Sequence, residues 1–250
     1  MRGCAPAAAL ELSDLLPEGA SAVLGVLALA STAPVALVWW LVFRRSAAGF
    51  WLSMALATGV LGLLALALRT PGAWAWAVRP SGLALGVAGA VVLYAVFLGG
   101  ERALRAVAPA VAASGSTVYG WTGALPRPVL AGLLLLVIAP GEELYWRGLV
   151  QWELQHVLAP WIAVLAATAL YTAVHLTTRN PALILAALVC GLFWGAMYAA
   201  TGSLPAVIVS HCLWDCLALL WLPLRRPPVG PAQPAPPHPA GPAARSLNGP

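Results

Sequence analysis

With 250 residues, 61% of them hydrophobic and only 8% charged, the chain cannot cover itself with a water-facing surface; soluble domains carry about 25% charged residues. All thirteen basic residues are arginine and none stands in a run longer than two, which excludes the clustered basic footprint of a nucleic-acid binder. The arginine-only usage reads as the composition bias of a GC-rich bacterial genome, and the chain as an integral protein of the bacterial cell membrane, in contact with lipid.

A spanning helix needs about 20 predominantly apolar residues. Residues 1–20 hold Glu11, Asp14 and Glu18 and lack the basic start of a cleaved signal peptide. Two uncharged runs follow at 21–43 and 46–68, separated by Arg44 and Arg45, and a third occupies 81–99. The polar, turn-rich stretch 100–127 predicts a segment lying partly on the membrane surface. The run 128–158 is too long for one straight span and reads as interrupted at Pro140-Gly141. Runs at 161–177, 181–200 and 204–222 complete an all-α, polytopic bundle of about seven helices. The proline- and alanine-rich tail 225–250 has nothing to bury and predicts disorder. These boundaries divide the chain into an N-terminal segment, three helices with a surface stretch over 21–127, a helical core over 128–224 and the tail.

Orientation follows from arginine placement. With the N-terminus outside, Arg44, Arg45, Arg102, Arg105, Arg127, Arg179, Arg225, Arg226 and Arg245 fall inside, against Arg2, Arg69 and Arg79 outside; that excess predicts N-out and C-in. The tryptophans at 73–76 then suit an outer interfacial belt. Cys190, Cys212 and Cys216 lie in apolar runs, no CxxC occurs, and the cysteines read as small apolar residues rather than as a zinc ribbon or a disulfide framework.

The first three helices carry no ionisable group in their interiors and contribute topology alone. Later helices carry Glu142, Glu143, Arg147, Glu153 and His156, then His175, then His211 and Asp215. Charged groups inside a bilayer are expensive, so they mark function by default. Glu143 and Arg147 are four apart and can pair on one helix face, while Glu142 points about 100° away toward another neighbour. His211 with Asp215, and Tyr171 with His175, share faces in the same way. Each has a plainer reading as well: an ion pair, a clamp between helices, or interfacial residues, the last fitting Glu153 and His156. Brought together, the set suits water activation by a carboxylate beside imidazole, with further donors for an oxyanion. It equally suits a divalent metal held by Glu and His.

These residues resemble a known family. "EELYWRG" is similar to the signature EExxxR, at Glu142, Glu143 and Arg147; "YTAVH" to FxxxH, with Tyr171 for phenylalanine before His175; and "HCLWD" to HxxxN or HxxxD, at His211 and Asp215. The family is the CPBP intramembrane proteases, which includes the CAAX prenyl endopeptidase and bacteriocin-processing or immunity proteins. The resemblance covers roughly 128–222. It implies an endopeptidase acting on a membrane-associated protein or peptide, leader peptides being a better fit than prenylated proteins in a bacterium. Glu142 and His175 would activate water, His211 and Asp215 would stabilise the oxyanion or hold the site, and Glu143, Arg147 and Tyr171 would support it. No HExxH is present, which favours a glutamate-type mechanism; a zinc ion on Glu142, His175 and His211 stays open. A proton-coupled transporter or a non-catalytic scaffold would use the same buried polar cluster. Linear counting leaves one tension, with His175 near the inner end of its helix and Glu142 near the middle of its own.

Overall fold

The computed structural model describes residues 26–27, 29–68 and 78–224, which form helices and their connections with no strand among them. The expected disordered tail, the residues before 26 and most of the tryptophan belt lie outside the described residues. In chain order the elements are α1 (Thr32–Val42), α2 (Ala47–Leu68), α3 (Pro80–Val107), α4 (Pro109–Ser114), α5 (Ser116–Trp121), α6 (Arg127–Val157), α7 (Pro160–His175), α8 (Pro181–Thr201) and α9 (Leu204–Trp221). Among the described residues six helices are long and apolar enough to cross a membrane, and α1 is a shorter apolar helix. Large apolar side chains such as Leu56, Leu63, Leu136 and Leu165 point outward, as a lipid-facing surface requires. The bundle is a helical membrane protein.

Two elements depart from expectation. The third helix runs on to Val107, eight residues past the expected end at 99, because Glu101 and Arg105 pair across one turn at 2.8 Å and carry it beyond its apolar stretch. The surface stretch is therefore confined to α4, α5 and a short 3-10 turn at Thr122–Ala124. In α6 the chain is not broken at Pro140-Gly141. A π-turn at Leu134–Ile138 precedes the proline. A proline inside an α-helix lacks an N–H and its ring collides with the carbonyl four residues back; widening that turn accommodates the ring, and the helix continues. A second π-turn at Trp146–Gln151 follows the charged triplet. Such bulges occur mostly at functional sites.

Helix starts are set by local chemistry. Asn180 caps α8, its side-chain oxygen accepting from the N–H groups of Ala182 and Leu183, and Ser203 caps α9 by accepting from Ala206. Prolines 160, 181 and 205 sit in the first turn, where the missing N–H has no partner to lose. Gly202, at φ +62°, ends α8 in the left-handed conformation that glycine adopts without strain.

Small residues set the crossings, as expected where helix association relies on close backbone approach. Gly62 of α2 lies against Gly141 of α6, and a Cβ on Gly141 would overlap the Thr58 carbonyl. Gly86 and Gly89 of α3 lie against α9, at Ala206 and Ser210. The first crossing fixes the turn holding Glu142; the second fixes the turn holding His211.

Candidate active site

Burial here is nearly complete: Glu142 is 4% exposed, Glu143 0%, Arg147 2%, His175 8%, His211 4% and Asp215 6%. The helix geometry sends the two adjacent glutamates to different partners.

Glu142 turns toward α7. Its Oε2 accepts a hydrogen bond of 3.0 Å from the Tyr171 hydroxyl. One turn further on, His175 Nδ1 lies 2.8 Å from the Tyr171 backbone oxygen. A carbonyl only accepts, so Nδ1 carries the proton and Nε2 holds the lone pair. That lone pair receives the indole N–H of Trp39 at a long 3.4 Å. The Tyr171 and His175 rings meet edge to face, their centroids 4.7 Å apart. Linear counting therefore misleads: α6 and α7 cross so that mid-helix Glu142 meets the last turn of α7.

Glu143 turns toward α8 and α9. Its Oε1 accepts from Arg147 Nη1 at 2.9 Å and from His211 Nδ1 at 2.7 Å. Arg147 spends its second nitrogen on the carbonyls of Cys190 and Gly191, at 3.3 and 3.4 Å. The ion pair expected from the four-residue spacing is present, and it is extended by an imidazole from another helix. His211 Nε2 lies 3.7 Å from Asp215 Oδ2, so both ring nitrogens face a carboxylate. Trp194 stacks on the His211 ring at 3.8 Å, and its indole N–H is held by Ser210 at 3.1 Å.

A cavity of about 160 Å³ unites the two groups. Glu142, Tyr171, His175, His211 and Asp215 all line it, while Glu143 and Arg147 do not. The expected site residues thus gather in one place, with two of them behind the wall. Glu153 and His156 lie apart from it, toward the end of α6.

One expectation is corrected. The first three helices supply more than topology, because Trp39 donates to His175 and Phe43, Phe50, Trp51 and Met54 form part of the cavity wall. No local spacing marks these residues, since each acts across helices; a fully buried tryptophan on an otherwise aliphatic helix was the available signal. Trp194 was missed for the same reason.

Among the described residues no three His, Cys, Asp or Glu groups are placed to hold a metal ion. The donors explain this: His211 Nδ1 is committed to Glu143, and His175 uses one nitrogen on a carbonyl and the other on an indole. The residues in this arrangement do not fit the zinc set Glu142, His175 and His211.

No curated protein and no solved structure matches the chain. Residues 124–217 do match the family model described as type II CAAX prenyl endopeptidase Rce1-like, a match that encloses every residue of the three signatures and agrees with the CPBP protease family.

Proposed function

We propose that this chain is an intramembrane endopeptidase that hydrolyses a peptide bond of a membrane-associated protein or peptide through a glutamate-activated water. The observation that supports this most directly is a single buried cavity lined by a carboxylate, two imidazoles and a second acid. Glu142 is the base. Tyr171 engages one of its oxygens and leaves the other to take a proton from water as the water oxygen attacks the carbonyl carbon. His175 offers its Nε2 lone pair to that water, in place of the weak indole contact. His211 gives an N–H to the developing oxyanion, Asp215 holds the ring from the far side, and Glu143 with Arg147 fixes its orientation. The proton on Glu142 then passes to the leaving amine as the carbon–nitrogen bond breaks. A general base of this kind contributes about 10²- to 10⁴-fold.

The test is co-expression of membrane peptide substrates with wild type and with Glu142→Gln. Cleavage by the first and none by the second supports the reading; equal cleavage removes Glu142 as the base. We also infer residence in a bacterial cell membrane, N-out and C-in. A cysteine placed at Arg44 should be shielded from an impermeant thiol reagent outside the cell, and labelling there would reverse the orientation.

A further inference from the structure

The catalytic cavity has a neighbour. A second cavity of about 200 Å³ lies between α3, α5, α8 and the end of α9, and Leu183, Ala186, Trp214 and Leu219 line both spaces. Its other walls are apolar, Val96, Leu104 and Val189 among them, and the carboxylate on it, Glu101, is already bonded to Arg105 at 2.8 Å. Trp214 stands in the partition, between Phe97 at 4.7 Å and Trp194 at 5.8 Å, measured between ring centroids. Its indole N–H is buried and has no acceptor. Buried polar groups of folded proteins are nearly always partnered, so an orphan in a cavity wall calls for a ligand.

Two features constrain the occupant. The apolar walls select a hydrocarbon surface, and the unpartnered donor selects an acceptor beside it. A bare acyl chain supplies only the first. A polypeptide supplies both, as a large aliphatic or aromatic side chain and the adjacent backbone carbonyl. Continuity with the catalytic cavity puts that side chain next to the bond being cut.

Resting on the protease reading, we propose that the second cavity receives a large apolar side chain of the substrate polypeptide beside the scissile bond. Trp214 is then a positioning residue, donating its indole N–H to a backbone carbonyl of the same segment. This makes the enzyme selective for a bulky apolar residue at one fixed place relative to the cleaved bond.

The experiment uses the full chain in proteoliposomes and a fluorophore–quencher peptide library in which one leucine or phenylalanine is walked through an alanine–serine segment. Wild type should cleave at a fixed offset from the large residue. Gly100→Leu and Val189→Phe fill the cavity from two helices, and a Cβ at Gly100 meets no atom within 4 Å, so the first variant adds volume without a clash. In either, the large-over-alanine ratio of kcat/KM should fall about tenfold or more, the scale on which a pocket reads side-chain size. Trp214→Phe keeps a ring and loses the N–H, so KM should rise roughly fivefold with kcat retained, the loss of one hydrogen bond. The same ratios are measured as peptide binding in a Glu142→Gln background, which needs no turnover. If wild type cuts nothing but binding still prefers the large residue and the fillers abolish that preference, the protease reading falls and the cavity assignment stands. An unchanged ratio in a filler that melts like wild type overturns the assignment, as does wild-type cleavage indifferent to the large residue.

Discussion

Glu142 and Glu143 are neighbours in sequence and almost equally buried, yet their surroundings differ in kind. Glu142 lines the cavity and receives one neutral donor, the Tyr171 hydroxyl. Glu143 sits behind the wall and receives a guanidinium and an imidazole on the same oxygen. A rotation of about 100° per residue separates the two, and that is enough to divide chemistry from support. A carboxylate with one neutral partner keeps lone pairs for a proton. One held by two nitrogen donors anchors three helices instead, through Arg147 to the α8 carbonyls and through His211 to α9.

The sharpest way to break this comparison is to neutralise each acid in turn. Glu142→Gln should lower cleavage by about 10²- to 10⁴-fold while leaving the melting temperature close to wild type, since the amide keeps the shape and the Tyr171 contact. Glu143→Gln should do the reverse in emphasis. Removing one partner of a buried ion pair leaves the other charge uncompensated and destabilises by about 3–5 kcal/mol, so abundance and thermal stability in detergent should fall. Glu143→Gln combined with Arg147→Met should recover part of that loss, because the stranded cation is gone. A stable Glu143→Gln, or a Glu142→Gln that melts early and cuts normally, would erase the distinction.

How much of this was legible in the sequence follows from the same contrast. The i, i+4 pairs Glu143–Arg147 and His211–Asp215 were readable because helical spacing is local, and the helix ends at Pro160, Asn180 and Ser203 were readable from capping chemistry. The partner of His211 was not readable, since Glu143 lies on another helix and no spacing connects them. In a membrane bundle the faces of a helix are apolar all round, so hydrophobic periodicity does not say which face meets a neighbour. That is why Trp39, Trp194 and the cavity wall of α1 and α2 went unseen. Pro140 carried a visible signal that pointed to a break. The π-turn before it absorbs the misfit, and α6 stays whole.

A smaller perturbation probes the scaffold under Glu142. Gly141→Ala would drive a methyl group into the Thr58 backbone carbonyl of α2. Overpacking of this sort typically costs about 1–3 kcal/mol, so the melting temperature should drop. Activity should fall too, because the displaced turn carries Glu142. The matching change at Gly132, where a Cβ meets nothing within 4 Å, should leave both unaffected, which separates the crossing from a general intolerance of alanine in α6.

The smallest expected effect concerns Trp39, where the comparison extends to a residue outside the family match. Its indole N–H meets His175 Nε2 at 3.4 Å, near the limit of a hydrogen bond, and the ring is fully buried. If water takes over that nitrogen during catalysis, the indole contact only fixes the imidazole before substrate arrives. Trp39→Phe then loses a weak hydrogen bond of about 0.5–1.5 kcal/mol and keeps most of the packing. Cleavage should fall by less than about tenfold, with the melting temperature slightly lowered, while Trp39→Ala should destabilise by about 3–5 kcal/mol through the cavity it opens. The pair is measured by the same cleavage assay and melting curves. A loss in Trp39→Phe as deep as that in Glu142→Gln would mean that the indole N–H acts on the reacting water itself. The catalytic group would then begin at α1, and the division drawn between the two glutamates would describe only part of it.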